Sequence, residues 1–381
     1  MRRLPNVLQV PLTLLTGKPY TGQQRISLSV SFHVVGAVAS MSVGFSMVAI
    51  ALTLGGPWTL TAVLGMAVTL HGMRNARMMV LHQAAHKNLY RRARTDQLLG
   101  QACSVILLVQ SFSQYSSEHT GEHHSRHHMT LRDPTVQAFL IGLGLAPGMS
   151  RREMWTRVLA KLCSPWFHTV FAVSRLRSFW SGANRGERIG AIVFHGSVVA
   201  AVSVTDSWLV FLLGWVVPLF PLFQVSNTLR LCVKHTFPTA NDEPLTGKDR
   251  MAGLTNAIFI GESVPRVQPT RIAAFWAWTR WTMRMFFVHL PVRYLVLTGD
   301  TVCHDFHHRF PRHKAWFDYI SERALDSMSP KGGWPAYTEV WGLAHAISHV
   351  FDSLSNADPK TFDRSKIGGV STRALFAAFD D

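Results

Sequence analysis

Charge is scarce in this 381-residue chain: Asp, Glu, Lys and Arg make up 16% of it, against about a quarter in ordinary soluble domains. Acidic residues are scarcest, 22 against 38 Lys and Arg, which leaves a formal net charge of +16. Cysteine occurs only at Cys103, Cys163, Cys232 and Cys303, with no CxxC pair. That excludes a disulfide scaffold and a thiolate metal site, and it fits a reduced, cytosol-facing surface. No helix-turn-helix, zinc-finger or ribonucleoprotein signature accompanies the basic excess, so nucleic acid is not the expected partner. Residues 1–31 are interrupted by Pro5, Pro11 and Pro19 and lack the layout of a secretory signal, so this segment is expected to stay in the cytosol. No internal repeat or low-complexity linker appears, and 1–381 is read as one domain.

What the chain has in quantity is apolar surface: 48% hydrophobic residues, with 12 Trp and 23 Phe. Residues 32–55 contain no Asp, Glu, Lys or Arg and are long enough for a helix across about 30 Å of hydrocarbon. Gly55, Gly56 and Pro57 break the run and 59–73 returns it, giving a first hairpin over 32–73. A second hairpin over 189–223 is made of 189–204 and 208–223, joined by Thr205, Asp206 and Ser207. Both turns lack Lys and Arg, whereas Arg74, Arg77, Lys87, Arg91, Arg92 and Arg94 follow the first hairpin, so the exits are expected on the cytoplasmic side. The apolar stretches 98–112, 151–188 and 272–297 are short, basic or Pro-interrupted and are read as lying in the interface. The expected fold is an all-α integral membrane protein: four transmembrane helices in two hairpins, a cytosolic helical cap, and a cytosolic extension over 321–381.

Histidine is the chemically informative residue. His82 and His86 stand at i, i+4; His119, His123, His124, His127 and His128 crowd ten residues; His304, His307 and His308 form an HxxHH set. On helices these spacings gather rings on one face. Neutral imidazole suits zinc, copper, iron and nickel, and the eight histidines that remain when the middle group supplies three (His124, His127 and His128), with His235 as a ninth, suffice for two ions with open positions. Spacing leaves the middle group ambiguous between HxxxHH from His119 and HxxHH from His124. His345 and His349 form a lone HxxxH of the kind helices produce by chance, and His33, His71 and His195 lie in or beside the spans without ligand spacing.

The three histidine boxes resemble those of the membrane fatty acid desaturase and hydroxylase superfamily, over roughly residues 30–320. Asp133-Pro134 resembles the turn that follows the second box in that family, and Phe310-Pro311 the continuation of the third. Arg230 and, after four residues, His235 resemble an element between the second hairpin and the third box, although Lys234 stands where Glu is frequent. The resemblance implies metal ligation by His82, His86, His124, His127, His128, His235, His304, His307 and His308. It leaves His119, His123, Asn227 and His313 as alternative ligands or groups behind them. It further implies two iron ions with O2 as co-substrate and a lipid or fatty acyl substrate, most simply desaturated. Hydroxylation or oxidative decarboxylation by the same site is the alternative. A histidine-rich metal transporter is the remaining class, and it is disfavoured because Asp206, in a turn, is the only charged residue in 32–55 and 189–223 apart from the rim. No His-Pro-Gly-Gly haem motif or iron–sulfur cysteine cluster is present, so an external donor is expected: a ferredoxin, a rubredoxin or a cytochrome b5-like protein.

Overall fold

The computed structural model describes the chain apart from residues 1–3, 124–126, 240–245, 331, 369–378, 380 and 381 and the side chains of residues 122 and 123. A short helix, α1 (Asn6–Thr16), precedes the first long one. Ser29 then caps α2 (Val30–Leu54) by accepting the backbone N–H of Phe32. Its 25 residues present Val35, Val38, Val43 and Ile50 outward and bury Ala37, Met41, Gly44 and Val48. α3 (Thr61–Asn75) packs on that buried face. Glycine sets the distance: a Cβ on Gly44 would lie 2.3 Å from the Thr69 nitrogen, and one on Gly72 would lie 2.6 Å from the Met41 nitrogen. This is the small-residue contact by which membrane helices approach backbone to backbone.

α3 does not stop at the apolar boundary. It runs through a π-turn (Ala76–Leu81) into α4 (His82–Ala85), and the extra residue of the π-turn re-aims the turn that follows. α5 (Ala93–Leu107) is half-buried against that π-turn and against α10 (Arg185–Thr205). Between them come α6 (Phe112–Glu118), prolonged by a π-turn (His119–His123), then α7 (Pro134–Gln137), α8 (Arg151–Leu162) and α9 (Pro165–Gly182). α10 opens with a capping box in which Asn184 and Glu187 exchange hydrogen bonds with each other's backbone. α11 (Trp208–Phe211) continues through two π-turns into α12 (Phe223–Lys234); Pro218 and Pro221 lack the N–H that an α ladder would use there.

Among the described residues, three helices are long and apolar enough to cross a membrane: Val30–Leu54, Arg185–Thr205 and Trp208–Lys234. The first arm of each expected hairpin and the second arm of the second are thus found; α3, the second arm of the first, is shorter and ends in Arg74. The remainder is a helical layer: α13 (Gly247–Gly253), α14 (Arg271–Arg284), α15 (His304–Arg309), α16 (Tyr319–Met328) and α17 (Leu343–Ser355). One departure from an all-helical fold is a three-residue parallel pair, β1 (Ala257–Phe259) with β2 (Glu339–Trp341), in register Ile258 to Val340. It joins the segment after α13 to the chain before α17. Exposed Phe275, Trp276, Phe286 and Phe287 line the outside of the 271–289 stretch.

Candidate metal centre

Among the described residues, the histidines converge as two buried groups. In the first, His82, His86, His119 and His307 bring one nitrogen each to within 4.8 Å of one another; in the second, His235, His304 and His308 do the same. Nε2 of His119 lies 2.8 Å from Nε2 of His82 and 3.1 Å from Nε2 of His86. Nε2 of His304 lies 3.1 Å from Nε2 of both His235 and His308. An imidazole nitrogen has one lone pair or one proton, so a nitrogen facing two others is poorly served by hydrogen bonding alone. Two nitrogens about 2.1 Å from one ion and at right angles stand about 3 Å apart, which is the spacing found.

The opposite edges of two of the rings are held so that these nitrogens keep their lone pairs. Nδ1 of His82 faces the Met78 carbonyl at 3.2 Å, and Nδ1 of His235 faces the Leu254 carbonyl at 3.3 Å and the Thr255 hydroxyl at 3.2 Å. A carbonyl only accepts, so Nδ1 donates and Nε2 is left for an ion. Burial, then the neighbouring imidazoles, pushes the His82 pKa well below the ordinary value and keeps the ring neutral, as a ligand must be.

Helix geometry explains how one box serves both groups. At about 100° per residue, His307 and His308 of α15 point to opposite sides of His304. His307 therefore joins His82 and His86, whose ring centroids are 4.3 and 4.9 Å away, while His304 and His308 join His235. The three rings of box three keep to one side of α15, as their spacing predicts, but His304 and His308 serve one cluster and His307 the other. α15 is clamped by Asp305, which takes Nη2 of Arg323 at 2.7 Å and its Nε at 2.9 Å. Arg323 is 2% exposed and lies between the rings of Phe259 and Tyr337.

The middle box is distributed too. His119, expected as an alternative ligand or a group behind the ligands, is one of the four in the first group. His128 lies beside the second, its ring centroid 4.6 Å from His235 and 5.1 Å from His308. His127 is half-buried and falls in neither group; His124 and the His123 side chain lie outside the described residues. Asn227 is occupied in the bundle, accepting from Nη1 of Arg74 at 2.6 Å and donating to the Phe379 carbonyl. His313 stands off the centre, with Nε2 3.6 Å from Glu322 and its carbonyl receiving the Asn88 amide.

Two carboxylates outside the histidine boxes stand behind the clusters. Asp300 is 3.9 Å from Nδ1 of His307, and Asp133, singled out in the sequence only as a turn, is 3.6 Å from Nδ1 of His128. Gly299 makes the first possible: it has φ +65°, and a Cβ there would stand 2.4 Å from Sδ of Met79. Burial raises the Asp300 carboxyl to about 7 against the opposing pull of Arg230 and the Gln83 amide. An acid four residues before the box was the available signal for Asp300; Thr255 and Arg323 offered none.

Imidazoles gathered twice, beside helices long and apolar enough to cross a membrane, define a membrane protein with histidine clusters able to hold metal. The fatty acid desaturase family profile matches residues 56–316, more than half of the sequence, and the chain belongs to that family. No curated protein matches it. The family makes it a membrane oxidoreductase that modifies lipid chains oxidatively, and its known use of iron accords with histidine clusters able to hold metal.

Proposed function

We propose that the two clusters bind a pair of iron ions and that the protein desaturates a fatty acyl chain at the cytoplasmic face of four membrane-spanning helices. The observation that carries this reading is α15, which gives His307 to one cluster and His304 and His308 to the other. A single rigid helix fixes both sites relative to each other, as a two-ion reaction at one substrate carbon requires. His82, His86, His119 and His307 would hold one ion, and His235, His304 and His308, with His128 beside them, the other. The iron pair supplies dioxygen activation and hydrogen abstraction from an unactivated carbon. Overall, R–CH2–CH2–R′, O2, two electrons and two protons become R–CH=CH–R′ and two waters.

The chain's own residues do the remaining work. Burial of all seven histidines excludes bulk water from the centre. Asp300 and Asp133 orient His307 and His128 from behind. A cavity of about 440 Å³ between α1, α2, α3 and the 290–299 segment is lined by Leu14, Leu28, Phe32 and Tyr294 and reaches Gly299, one residue from Asp300. It suits part of an acyl chain arriving from the lipid side. The fourth span is the apolar part of α3, whose antiparallel packing on α2 supports a hairpin that returns the chain to the side of the histidines. With His82 and His86 at its cytoplasmic end, the whole of 1–381 works as one domain. Hydroxylation of the same carbon uses the same groups and differs only in where the substrate lies, and it stands as the alternative outcome.

The test is metal analysis of the purified protein together with mass spectrometry of lipids from cells expressing it. About two irons per chain and a new, oxygen-dependent double bond are expected. Zinc with no oxygen-dependent product would remove the reading, and a new hydroxyl group would transfer it to hydroxylation.

A further inference from the structure

Three arginines are buried in the bundle beside the first metal cluster: Arg74, Arg77 and Arg230 are each at most 1% exposed. They come from α3, from the π-turn that continues it and from α12. The Arg77 guanidinium lies 3.9 Å from the centre of the Tyr115 ring, which stacks in turn on His119. The charge of Arg230 acts on the Asp300 carboxyl, behind His307. The cations therefore reach the centre from inside the bundle.

A guanidinium does not deprotonate in a protein. Taken out of water, it needs opposite charge or a full set of acceptors. Arg175 of α9 shows the second solution, donating to the carbonyls of Leu107, Leu108 and Leu219. Arg74 gives an N–H to Oδ1 of Asn227 at 2.6 Å and lies over the Phe223 ring, but an amide and a ring carry no net charge. Among the described residues, the buried acids Asp96, Asp133, Glu187, Asp305, Asp318 and Asp326 serve the Tyr90 N–H, His128, the Phe112 N–H, Arg323, Arg25 and the Tyr337 hydroxyl. Asp300, through Arg230, is the described buried acid coupled to the arginine set.

The same part of the bundle holds Phe379. It is 1% exposed, and its ring meets Phe167 and Phe171 of α9 edge-on, with centroids 6.0 and 6.4 Å apart. Its carbonyl accepts the Asn227 amide, whose oxygen holds Arg74. The next two residues in the sequence are Asp380 and Asp381. Two carboxylates following a residue that stands one amide away from Arg74 match the arginines in sign.

We infer that Arg74, Arg77 and Arg230 form an internal carboxylate-binding site whose occupant is the acidic segment Phe379-Asp380-Asp381 of this same chain, anchored by the Phe379 ring. The segment plugs the bundle interior beside the first cluster. The cavity next to α1 reaches Gly299, and Arg230 brings the arginine site to Asp300 from α12. A substrate chain running past the centre therefore meets the plug. The site itself is independent of the oxidative reading, and its effect on turnover rests on that reading.

Hydrogen exchange of residues 374–381, followed by mass spectrometry on the full-length protein in nanodiscs, tests the site. The unaltered protein is compared with Asp380→Asn/Asp381→Asn, with Phe379→Ala, and with the control Asp206→Asn/Asp249→Asn, which neutralises two exposed acids. Slow exchange is expected in the unaltered protein and the control, and exchange faster by about ten-fold or more in both tail variants. Exchange in α2 and α12 checks the fold. Should the neutral tail loosen those helices as well, Phe379→Ala, which keeps the charges, becomes the deciding variant. Fast exchange in the unaltered protein, or protection retained in both tail variants, would overturn the site. Lipid oxidation, measured with one electron donor throughout, is expected to rise in the tail variants and to stay level in the control. Released tails with intact α2 and α12 and no rise in oxidation would overturn the plug. Released tails with no oxidation in any of the proteins would uphold the site and count against the oxidative reading.

Discussion

The two histidine clusters draw on the same helix and are built differently around it. The first takes His82 and His86 from the end of the helix that continues α3 and His119 from the end of α6, each after or within a π-turn, and adds His307. The second takes His304 and His308 from one helix face and His235 from the extended residue just past α12, where His235 bridges to Thr255. Four nitrogens on rigid helices make the first a nearly complete shell. Three nitrogens, one of them held by a β-bridge, make the second more dependent on its surroundings. The lesson is that positional precision at the second cluster comes from the layer behind the ligands, and at the first from the helices themselves.

That contrast can be broken most severely by removing a ligand. His304→Ala leaves two nitrogens in the second cluster and is expected to lower iron from about two per chain to about one and to abolish product. Metal analysis and lipid mass spectrometry check it, and full metal retention would contradict the assignment. His119→Ala should likewise deplete the first cluster, whereas His127→Ala, whose ring lies in neither group, should retain most metal. Measuring iron in both variants decides the register of the middle box, and the reverse result would return it to His124, His127 and His128.

Removing the clamp should come next. Arg323→Met strips Asp305 of its buried partner, a change that costs about 3–5 kcal/mol where one charge is left uncompensated. Because Asp305 anchors α15, both clusters should lose affinity together, and a thermal-melting shift in detergent should accompany the metal loss. Loss confined to one cluster would show that α15 keeps its place without the clamp.

The smallest effects belong to the carboxylates. Removing a group that orients a metal-bound imidazole typically costs about 10–100-fold in metal affinity. Asp133→Asn should fall towards the upper end of that range at the second cluster, and Asp300→Asn towards the lower end at the first, where three other nitrogens remain. Competition with a chelator, followed separately for each iron by Mössbauer spectroscopy, measures both; equal sensitivity would erase the proposed difference.

Much of this was legible in the residues. Long uncharged runs marked α2, α10 and the helix through Trp208–Lys234, because only burial in apolar surroundings or lipid suits such stretches. The spacing of His82 with His86 and of His304 with His308 was readable because helix periodicity is local. The destination of His307 was not, since i+3 and i+4 diverge on the helix and only a second partner shows which way each is used. His119 was hidden for a related reason. A motif reports distances along the chain, and α6 with its π-turn decides which of five nearby histidines reaches His82. Arg323 and Asp305 are 18 residues apart and carry no pattern at all.

By itself, the sequence determined a membrane-bound helical protein with enough neutral imidazole for two ions, because composition, periodicity and spacing act locally along the chain. The tertiary structure decided how those imidazoles are divided, which acids and arginines stand behind them, and that Phe379 meets Arg74 through Asn227. These depend on contacts between segments far apart in sequence, where packing, not chain proximity, sets which side chains meet.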